Sequence, residues 1–359
     1  MKHSQAGLSK VGIINPDGHA IGLDIGATAV RAAILSPGTT DGRPSVTVHG
    51  LGQVALPPGA VVNGVVMDQA TVTAALKQLW QIHKFECRQV ILGITNQQLV
   101  VRDMTVPNLS PDQRAKALPF QAREIVALPI EQVLIDFAQL GEINEENNTV
   151  SGLLVATPRA PVLAAVEAVE RAKLKVARVD LSSFAALRSI ADERLSVEAV
   201  IDLGAHMTNI VIHNHGIPKV VRTVIRGGDE LTQKLADKLG ITLAEAEQAK
   251  VAVGLTGSPT EVATALSEAV RPLLAEIRSS IHYFGSTNDG AVLERISLTG
   301  GGAMLAGLAA LLGEQLGVPC NVVTPMQHIR NRFASVHDGV DQSDLSTAVS
   351  VGLAMGAAA

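Results

Sequence analysis

The chain has 359 residues, which at roughly 150 residues per domain predicts two domains or one large two-lobed domain. Lys and Arg total 29 against 34 Asp and Glu, and there are only 6 Phe, 1 Tyr and 1 Trp. This acidic balance and shortage of aromatic rings argue against nucleic acid as the main partner. No apolar run has membrane length and the first residues lack a signal-peptide pattern, so we expect a cytoplasmic protein.

The first predicted elements form a β-hairpin with polar groups at its tip. Residues 20–24 are a short apolar run, residues 25–28 a glycine-containing turn, and residues 30–35 a return strand. After it we expect a strand over 46–54, a helix over 68–83 and a buried strand over 89–95.

The pattern of predicted elements changes between residues 98 and 159. A strand is followed by a helix over 111–126 that Ser110 caps, and then by two strands around a polar loop. We interpret this segment as an inserted α+β subdomain, after which a helix over 160–172 and a strand over 176–180 lead back to the main body.

The second half of the sequence repeats the hairpin pattern with which the first half begins. The segment DIGATAV begins at Asp24, and DLGAHMTNI begins at Asp202, each with an apolar strand before it and a return strand after it. The sequence therefore contains an internal duplication.

Helices and a glycine run follow the second copy of the hairpin. We expect helices over 227–239, from Thr242 onward with Glu245 completing a capping box, and over 261–284. A strand over 295–299 then runs into three glycines and a helix over 303–316, a turn whose free N–H groups favour an anion.

A hairpin turn with inward-pointing N–H groups and small residues holds a phosphate, because no side chain blocks its approach. Asp24 and Asp202 could face one cleft and hold Mg²⁺ through water, since Mg²⁺ prefers one or two carboxylates plus phosphate oxygens. Either hairpin alone reads as a tight turn with a capping Asp. The pair, together with the glycine run, indicates a nucleotide site.

Other polar residues carry weaker signals. Glu247 and Lys250 share a helix face and, taken alone, predict a surface ion pair. His206, His213 and His215 lack a neighbouring carboxylate or cysteine cluster, so we expect surface or turn histidines. The two cysteines have neither disulfide-framework nor zinc spacing.

These segments resemble a known superfamily. LDIGATAVRAAIL, DLGAHMTNIVI, RGGDELTQKLA, AEAEQAK and LTGGGAMLAGL, in this order, are similar to the five nucleotide-site segments of the actin-like ATPases. More narrowly, VPNLSPDQRAKALPFQAREIVALPIEQVLIDFAQLG, VARVDLSSFAALRS and STAVSVGLAMG resemble the FtsA-related PilM family of type IV pilus assembly proteins. The likeness covers roughly residues 20–356.

The resemblance implies an α/β fold with two duplicated, RNase H-like lobes around a nucleotide cleft. Residues 20–97 and 160–198 would form the first lobe (1A), 98–159 a 1C-type insertion, and 199–359 the second lobe (2A/2B). Residues 1–19 would be a flexible leader.

By position, the resemblance also implies a site for ATP and Mg²⁺. Asp24 and Asp202 would coordinate the metal, through water. The nucleotide would contact Asp24, Gly26, Ala27, Thr28, Asp202, Gly204, Thr208, Gly227, Gly228, Asp229, Glu247, Lys250, Gly300, Gly301, Gly302 and Ala303. Ser182 stands at the position that orients the attacking water, and its short side chain predicts slow or no hydrolysis.

The family further implies a role at the type IV pilus inner-membrane platform, peripheral to the cytoplasmic membrane. A groove beside the insertion would bind the N-terminal cytoplasmic peptide of a PilN-type protein, with a PilB- or PilT-type motor ATPase and self-association as further contacts. Two alternatives stay open. An FtsA-like cell-division protein should end in an amphipathic helix, whereas this chain ends in AMGAAA; a sugar kinase needs a catalytic base, for which Asp136 and Asp180 are candidates by position only.

Overall fold

The computed structural model describes residues 20–40, 43–256, 260–288, 290–328, 330–331 and 344–358. The predicted leader of residues 1–19 lies outside them. The strands are β1 (Ala20–Ile25), β2 (Ala29–Thr40), β3 (Arg43–Ala55), β4 (Val61–Val62), β5 (Val65–Val66), β6 (Gln89–Ile94), β7 (Val100–Pro107), β8 (Val133–Asn144), β9 (Thr149–Pro158), β10 (Lys175–Leu181), β11 (Val197–Leu203), β12 (Thr208–Asn214), β13 (Ile217–Val224), β14 (Arg295–Thr299), β15 (Cys320–Val322) and β16 (Arg330–Asn331). The helices are α1 (Gln69–His83), α2 (Pro111–Gln121), α3 (Arg159–Arg171), α4 (Ser182–Ile190), α5 (Gly228–Leu239), α6 (Leu243–Val253), α7 (Glu261–Thr287), α8 (Leu308–Leu316) and α9 (Ala348–Ala358).

One sheet forms the centre of the first lobe, in the order β10-β6-β1-β2-β3-β16. β1 pairs antiparallel with β2 and parallel with β6. Leu76 and Leu79 of α1 and Val169 of α3 pack on one face of the sheet. On the other face α9 approaches β1 so closely that a Cβ at Gly22 would lie 2.0 Å from the Ser350 carbonyl oxygen, so only glycine fits there.

A second sheet, β13-β12-β11-β14-β15, repeats this arrangement. β11 pairs antiparallel with β12 and parallel with β14, as β1 does with β2 and β6. Its inner face packs through Ile201 and Leu203 against apolar residues of α5, α7 and α8. The duplication inferred from the sequence is therefore also a duplication of sheet topology, which confirms the two-lobed α/β fold.

Helix α4 joins the lobes. Leu187 and Ile190 pack against Val200 and Val211 of the second sheet, whereas Ala185 lies against α9, which packs on the first sheet. The two helices are in close contact, because a Cβ at Gly352 would lie 1.8 Å from the Ala185 carbonyl oxygen. Strand β16 also pairs with β3 of the first sheet, so the C-terminal elements α9 and β16 pack with the first lobe, although the sequence assigned residues 199–359 to the second.

The segment between the two parts of the first lobe forms a separate sheet, β7-β9-β8. Ser110 and Gln113 form a capping box at the start of α2. This helix is shorter than the predicted 111–126: it ends at Gln121 and continues as the 3-10 turn Ala122–Glu124. The assignment of residues 98–159 as a 1C-type unit stays a prediction.

The described helices include none with both the length and the apolar character that a membrane span needs.

Candidate functional site

The first hairpin has a tight turn between β1 and β2, where both strands reach the same edge of the cleft. The Gly26 N–H donates to the Ala29 carbonyl oxygen at 3.0 Å, which closes the turn between β1 and β2. Asp24 lies at the end of β1, directly across from Arg31 on β2. The turn therefore presents a carboxylate and a guanidinium from neighbouring strands.

The second hairpin has the same construction. The Gly204 N–H donates to the Met207 carbonyl oxygen at 2.9 Å, and Asp202 lies across from Asn209. The Asn209 amide donates to Asp202 Oδ2 at 3.3 Å. The cross-strand partner follows its aspartate at the same spacing in both hairpins.

Both hairpins line one cleft, the interlobe cleft, with a volume of about 330 Å³. Most of the residues that the sequence proposed meet there. Those that line the cleft are Asp24, Gly26, Ala27, Thr28, Ser182, Asp202, Gly204, Gly228, Asp229, Glu247, Lys250, Gly300, Gly301 and Gly302.

Three of the proposed residues do not line the interlobe cleft. Thr208 is fully buried, and its hydroxyl donates to the Arg226 carbonyl oxygen at 2.7 Å. A Cβ at Gly227 would lie 2.2 Å from the Ala205 carbonyl oxygen, so this glycine lets α5 approach the hairpin. Ala303 is buried in the second core. In the structure these three residues lie behind the lining of the cleft and support its wall.

The environment of both aspartates disfavours the ionised carboxylate. Burial raises the pKa of Asp24 to about 6, with the nearby Arg31 lowering it and Asp202 raising it further. Burial likewise raises the pKa of Asp202. A divalent cation would offset this cost, because it favours the ionised carboxylates.

The donor set also fits a cation that arrives with phosphate. The residues that the structure describes contain no group of three or more His, Cys, Asp or Glu side chains able to hold a metal. Two carboxylates facing a polar cleft match Mg²⁺, which keeps its waters and takes its other ligands from phosphate oxygens.

The glycine run forms the third wall of the cleft. Gly300 has a φ of +82°, and a Cβ there would lie 2.5 Å from Asp202 Oδ1, so a side chain is excluded twice over. At Gly301 no atom lies within 4 Å of an added Cβ, so the space beside this residue is open to the cleft. The predicted helix 303–316 begins later, at Leu308, after the 3-10 turn Gly301–Met304.

Glu247 and Lys250 of α6 form the fourth wall. Their ion pair measures 2.7 Å from Nζ to Oε2, and the Lys250 side chain is only 12% exposed. Lys250 also donates to the Thr232 hydroxyl at 2.8 Å and to the Gly228 carbonyl oxygen at 3.2 Å. Burial alone would raise the pKa of Glu247, but hydrogen bonds from Lys250 and Thr232 outweigh it and lower that pKa. Lys250 is thus built into the cleft wall, whereas the Glu247 side chain is half exposed.

Ser182 begins α4 and is nearly buried at the floor of the cleft. Its hydroxyl oxygen would lie 3.2 Å from a Cβ at Gly93, so it packs closely on strand β6. The side chain is too short to reach far into the cleft.

Sequence reasoning missed several residues of the cleft. Arg31 donates through Nε to the Ser346 hydroxyl at 2.9 Å, and both line the cleft with Asn209 and His206. Arg31 follows Asp24 at the same spacing at which Asn209 follows Asp202. This repeated spacing is the sequence signal that could have identified Arg31 and Asn209.

The surface-or-turn interpretation is wrong for one of the three histidines. His213 is fully buried, with Nε2 3.0 Å from Oε2 of the equally buried Glu198. Glu198 also accepts hydrogen bonds from Ser297 and Arg295. His206 lies in the turn between β11 and β12, where it lines the interlobe cleft, and His215 is an exposed turn residue.

A duplicated hairpin pair of this kind has known counterparts. The profile of the family described as "Type IV pilus assembly protein PilM" matches residues 22–358. The chain belongs to this family. A chain of the solved "PilM-PilN type IV pilus biogenesis complex" is 26% identical to it, with a TM-score of 0.83 over 95% of this chain and 98% of that one.

Other relatives support the PilM assignment at the level of the superfamily. The cell division protein FtsA of Pseudomonas aeruginosa is 25% identical over 89% of this chain and 88% of its own. MreB 5 of Spiroplasma citri bound to AMPPNP shares the fold, with 13% identity and a TM-score of 0.54 over 94% of this chain and 95% of that one. The actin-like ATPase fold expected for a PilM-family member is confirmed.

Proposed function

We propose that this PilM-family protein binds ATP and Mg²⁺ between its two hairpins and acts as a nucleotide-dependent scaffold of the type IV pilus inner-membrane platform. The observation that carries the proposal is the meeting of Asp24 and Asp202, from duplicated hairpins on different lobes, in one cleft with Gly301 and Lys250. A ligand that bridges both hairpins contacts both lobes, so it couples occupancy to their relative position.

Different residues of the cleft are proposed to contact different parts of the nucleotide. Asp24 and Asp202 hold Mg²⁺ through water, and the turns at 26–28 and 204–206 face the phosphates. Glu247 and Lys250 lie at the nucleoside end, for the ribose and the adenine. The Gly300–Gly302 run forms the adenosine pocket, because its middle glycine leaves the space above it open.

Hydrolysis is expected to be slow. Phosphoryl transfer depends on a positioned water and on charge stabilisation, and Ser182 is a short hydroxyl packed on β6. We expect fewer than about 0.01 turnovers per second, the range of GTPases that act without a partner's help. Phosphate release measured with excess ATP checks this, and turnover of several per second would contradict it.

The proposed partner is the N-terminal cytoplasmic peptide of a PilN-type protein, which would hold the chain at the inner face of the cytoplasmic membrane. The likeness to the PilM-PilN complex over nearly the whole chain supports it. An extended peptide laid in an apolar groove beside the β7-β9-β8 sheet would gain main-chain hydrogen bonds and side-chain pockets. A PilB- or PilT-type motor ATPase and a second copy of this chain are further proposed contacts.

The partner is tested by calorimetry with a synthetic PilN-type N-terminal peptide from the same genome. We expect micromolar binding that changes when ATP and Mg²⁺ are added, and none with a scrambled peptide. Absence of binding in both nucleotide states would refute the partner while leaving the nucleotide cleft to its own test.

The FtsA likeness supports one alternative, a cell-division protein that polymerises on membranes. Co-sedimentation with anionic lipid vesicles and ATP, without peptide, separates the two roles. The pilus role predicts that the protein stays in the supernatant, whereas pelleted filaments would favour the FtsA-like role.

A further inference from the structure

We infer that the inserted sheet β7-β9-β8 is coupled to the interlobe cleft through Asn96 and Thr157, so that Mg²⁺-ATP tightens the binding of the PilN-type peptide. This inference rests on the proposed function, in which ATP binds in the cleft and the peptide binds beside the inserted sheet. The two residues lie at the root of the insertion, where residues 95–99 enter it and residues 157–158 leave it.

The root of the insertion forms part of the cleft wall. Thr95 and Asn96 follow β6 and lead into the insertion, and both line the interlobe cleft. Where the chain returns to the first lobe, Pro161 and Val162 at the start of α3 line the same cleft. A ligand that fills the cleft therefore lies against both ends of the segment that carries the insertion.

Asn96 joins these two ends by a buried hydrogen bond. Its Nδ2 donates to the Thr157 hydroxyl at 2.6 Å, while its Oδ1 accepts from the Gln98 N–H at 2.9 Å. Asn96 is 3% exposed and Thr157 is 4% exposed. Because a buried donor that loses its acceptor costs free energy, the entering and returning strands are held to each other where they meet the cleft.

Further hydrogen bonds join the root to the second hairpin, on the other lobe. The Thr95 hydroxyl donates to Asn209 Oδ1 at 3.2 Å, and the Thr223 hydroxyl of β13 donates to the same oxygen at 2.8 Å. The amide of Asn209 donates to Asp202. Asn209 therefore contacts the proposed metal-binding carboxylate on one side and the root of the insertion on the other.

The insertion also packs directly on the second lobe. Val101 of β7 belongs to the same core cluster as Val221 of β13. Burial raises the pKa of Asp103 on β7, and the positive charges of Lys219 on β13 and of Arg102 lower it, so opposite charges of the two strands lie near each other. The insertion is thus attached to the first lobe at its root and packed on the second lobe along β7. A ligand that fixes the relative position of the lobes also fixes the insertion.

This double attachment gives the coupling its direction. Binding of the peptide requires an ordered insertion, and Mg²⁺-ATP held between the lobes has already ordered it. The peptide then loses less conformational entropy on binding, which is positive cooperativity. By linkage, the peptide tightens the binding of Mg²⁺-ATP by the same factor.

The test measures, by calorimetry on the full chain, the affinity for a synthetic PilN-type peptide with and without saturating Mg²⁺-ATP. We expect Mg²⁺-ATP to tighten peptide binding by at least about fivefold in the wild type, the lower end of usual couplings. Thr157→Val keeps the shape of the side chain but removes the hydroxyl. It should reduce this factor to less than about twofold, while each ligand alone binds within about twofold of the wild type. Thr157→Ser, which keeps the hydroxyl, should retain the coupling.

Thr105→Val is the matched control. The Thr105 hydroxyl lies 3.1 Å from that of Ser151 on the same inserted sheet, toward the far end of β7 from the root. Its loss removes a similar hydroxyl contact and should leave the full coupling.

Hydrogen exchange of the β7, β8 and β9 amides, without peptide, gives a second readout. Mg²⁺-ATP should slow this exchange in the wild type and in Thr105→Val, but not in Thr157→Val. A wild type whose peptide affinity and exchange are the same with and without Mg²⁺-ATP would overturn the inference while both binding sites stand. A Thr157→Val variant that is coupled as strongly as the wild type would also overturn it.

The remaining outcomes separate the inference from the proposed function. If the peptide does not bind in either nucleotide state, the proposed partner is refuted and hydrogen exchange alone decides whether the insertion is coupled to the cleft. A wild type that binds no nucleotide overturns both the inference and the proposed ATP site. If circular dichroism shows that Thr157→Val does not fold, Thr95→Val, which removes the hydroxyl that contacts Asn209, takes its place with the same expected loss of coupling.

Discussion

Replacing Asp24 with Asn should make the nucleotide-free protein more stable while it abolishes Mg²⁺-ATP binding. Burial raises the pKa of this carboxyl from 3.8 to about 6, so the folded state resists its ionisation. This pKa difference of about 2 corresponds to about 3 kcal/mol of folding free energy, at 1.36 kcal/mol for each pH unit. Because Asp24 is partly exposed at the cleft, solvent screening lowers the expected gain to about 1 to 2 kcal/mol.

The sign follows from proton counts. Below about pH 4 the carboxyl is protonated in both the folded and the unfolded state, and it costs nothing. Between that pH and about 6 the folded state keeps a proton that the unfolded state has lost, so the stability of the wild type falls as the pH rises. The Asp24→Asn variant lacks this slope, and its advantage should be full at neutral pH and vanish near pH 4.

Urea unfolding without nucleotide or Mg²⁺, at both pH values, measures the difference. Glu170→Gln, an exposed substitution on α3, is the matched control and should change nothing. An Asp24→Asn variant that is less stable than the wild type at neutral pH would refute the reasoning. So would an advantage that is equal at both pH values.

Two further contrasts test the walls of the cleft and the second core. Gly301→Ala should change the free energy of unfolding by less than about 0.5 kcal/mol but should weaken ATP binding. Gly300→Ala, at a φ of +82°, should lower the free energy of unfolding by at least about 1 to 2 kcal/mol. Equal urea midpoints for the two variants would contradict this contrast. Glu198→Ala should cost about 3 to 5 kcal/mol, because it leaves Arg295 and the other buried donors to Glu198 without their acceptor. Glu276→Ala removes a carboxylate that is only partly buried and pairs with Arg222, and it should cost less than about 1 kcal/mol. Burial alone would raise the pKa of Glu198, but its hydrogen bonds outweigh this and lower that pKa, so its stabilisation is present at neutral pH and is lost on acidification, which urea unfolding at falling pH can follow.

The duplicated hairpins could be predicted because their information is local. An aspartate at the end of an apolar strand, a glycine two residues on and a return strand are readable within a dozen residues, and the structure has this turn twice. The Ser110 cap of α2 and the capping box of α6 could be predicted for the same reason, since the residues involved are at most three apart.

What the sequence did not predict depends on distant contacts. Ser346 reaches Arg31 from 315 residues away, and no pattern near either residue indicates the meeting. The late start of α8 is similar, because Gly307 has a φ of +85° where the chain packs on Thr256, and the Leu255 N–H donates to the Ala306 carbonyl oxygen at 2.7 Å. His213 was misjudged because only the fold shows that Glu198 lies beside it.

The central claim, that paired hairpins clamp Mg²⁺-ATP, is tested most directly by calorimetric titration of the wild type, Asp24→Ala and Asp202→Ala with ATP and Mg²⁺. The account predicts binding by the wild type and its loss in both variants, with all three proteins folded by circular dichroism. A wild type that binds no nucleotide, or two variants that bind it as tightly as the wild type does, would contradict the claim.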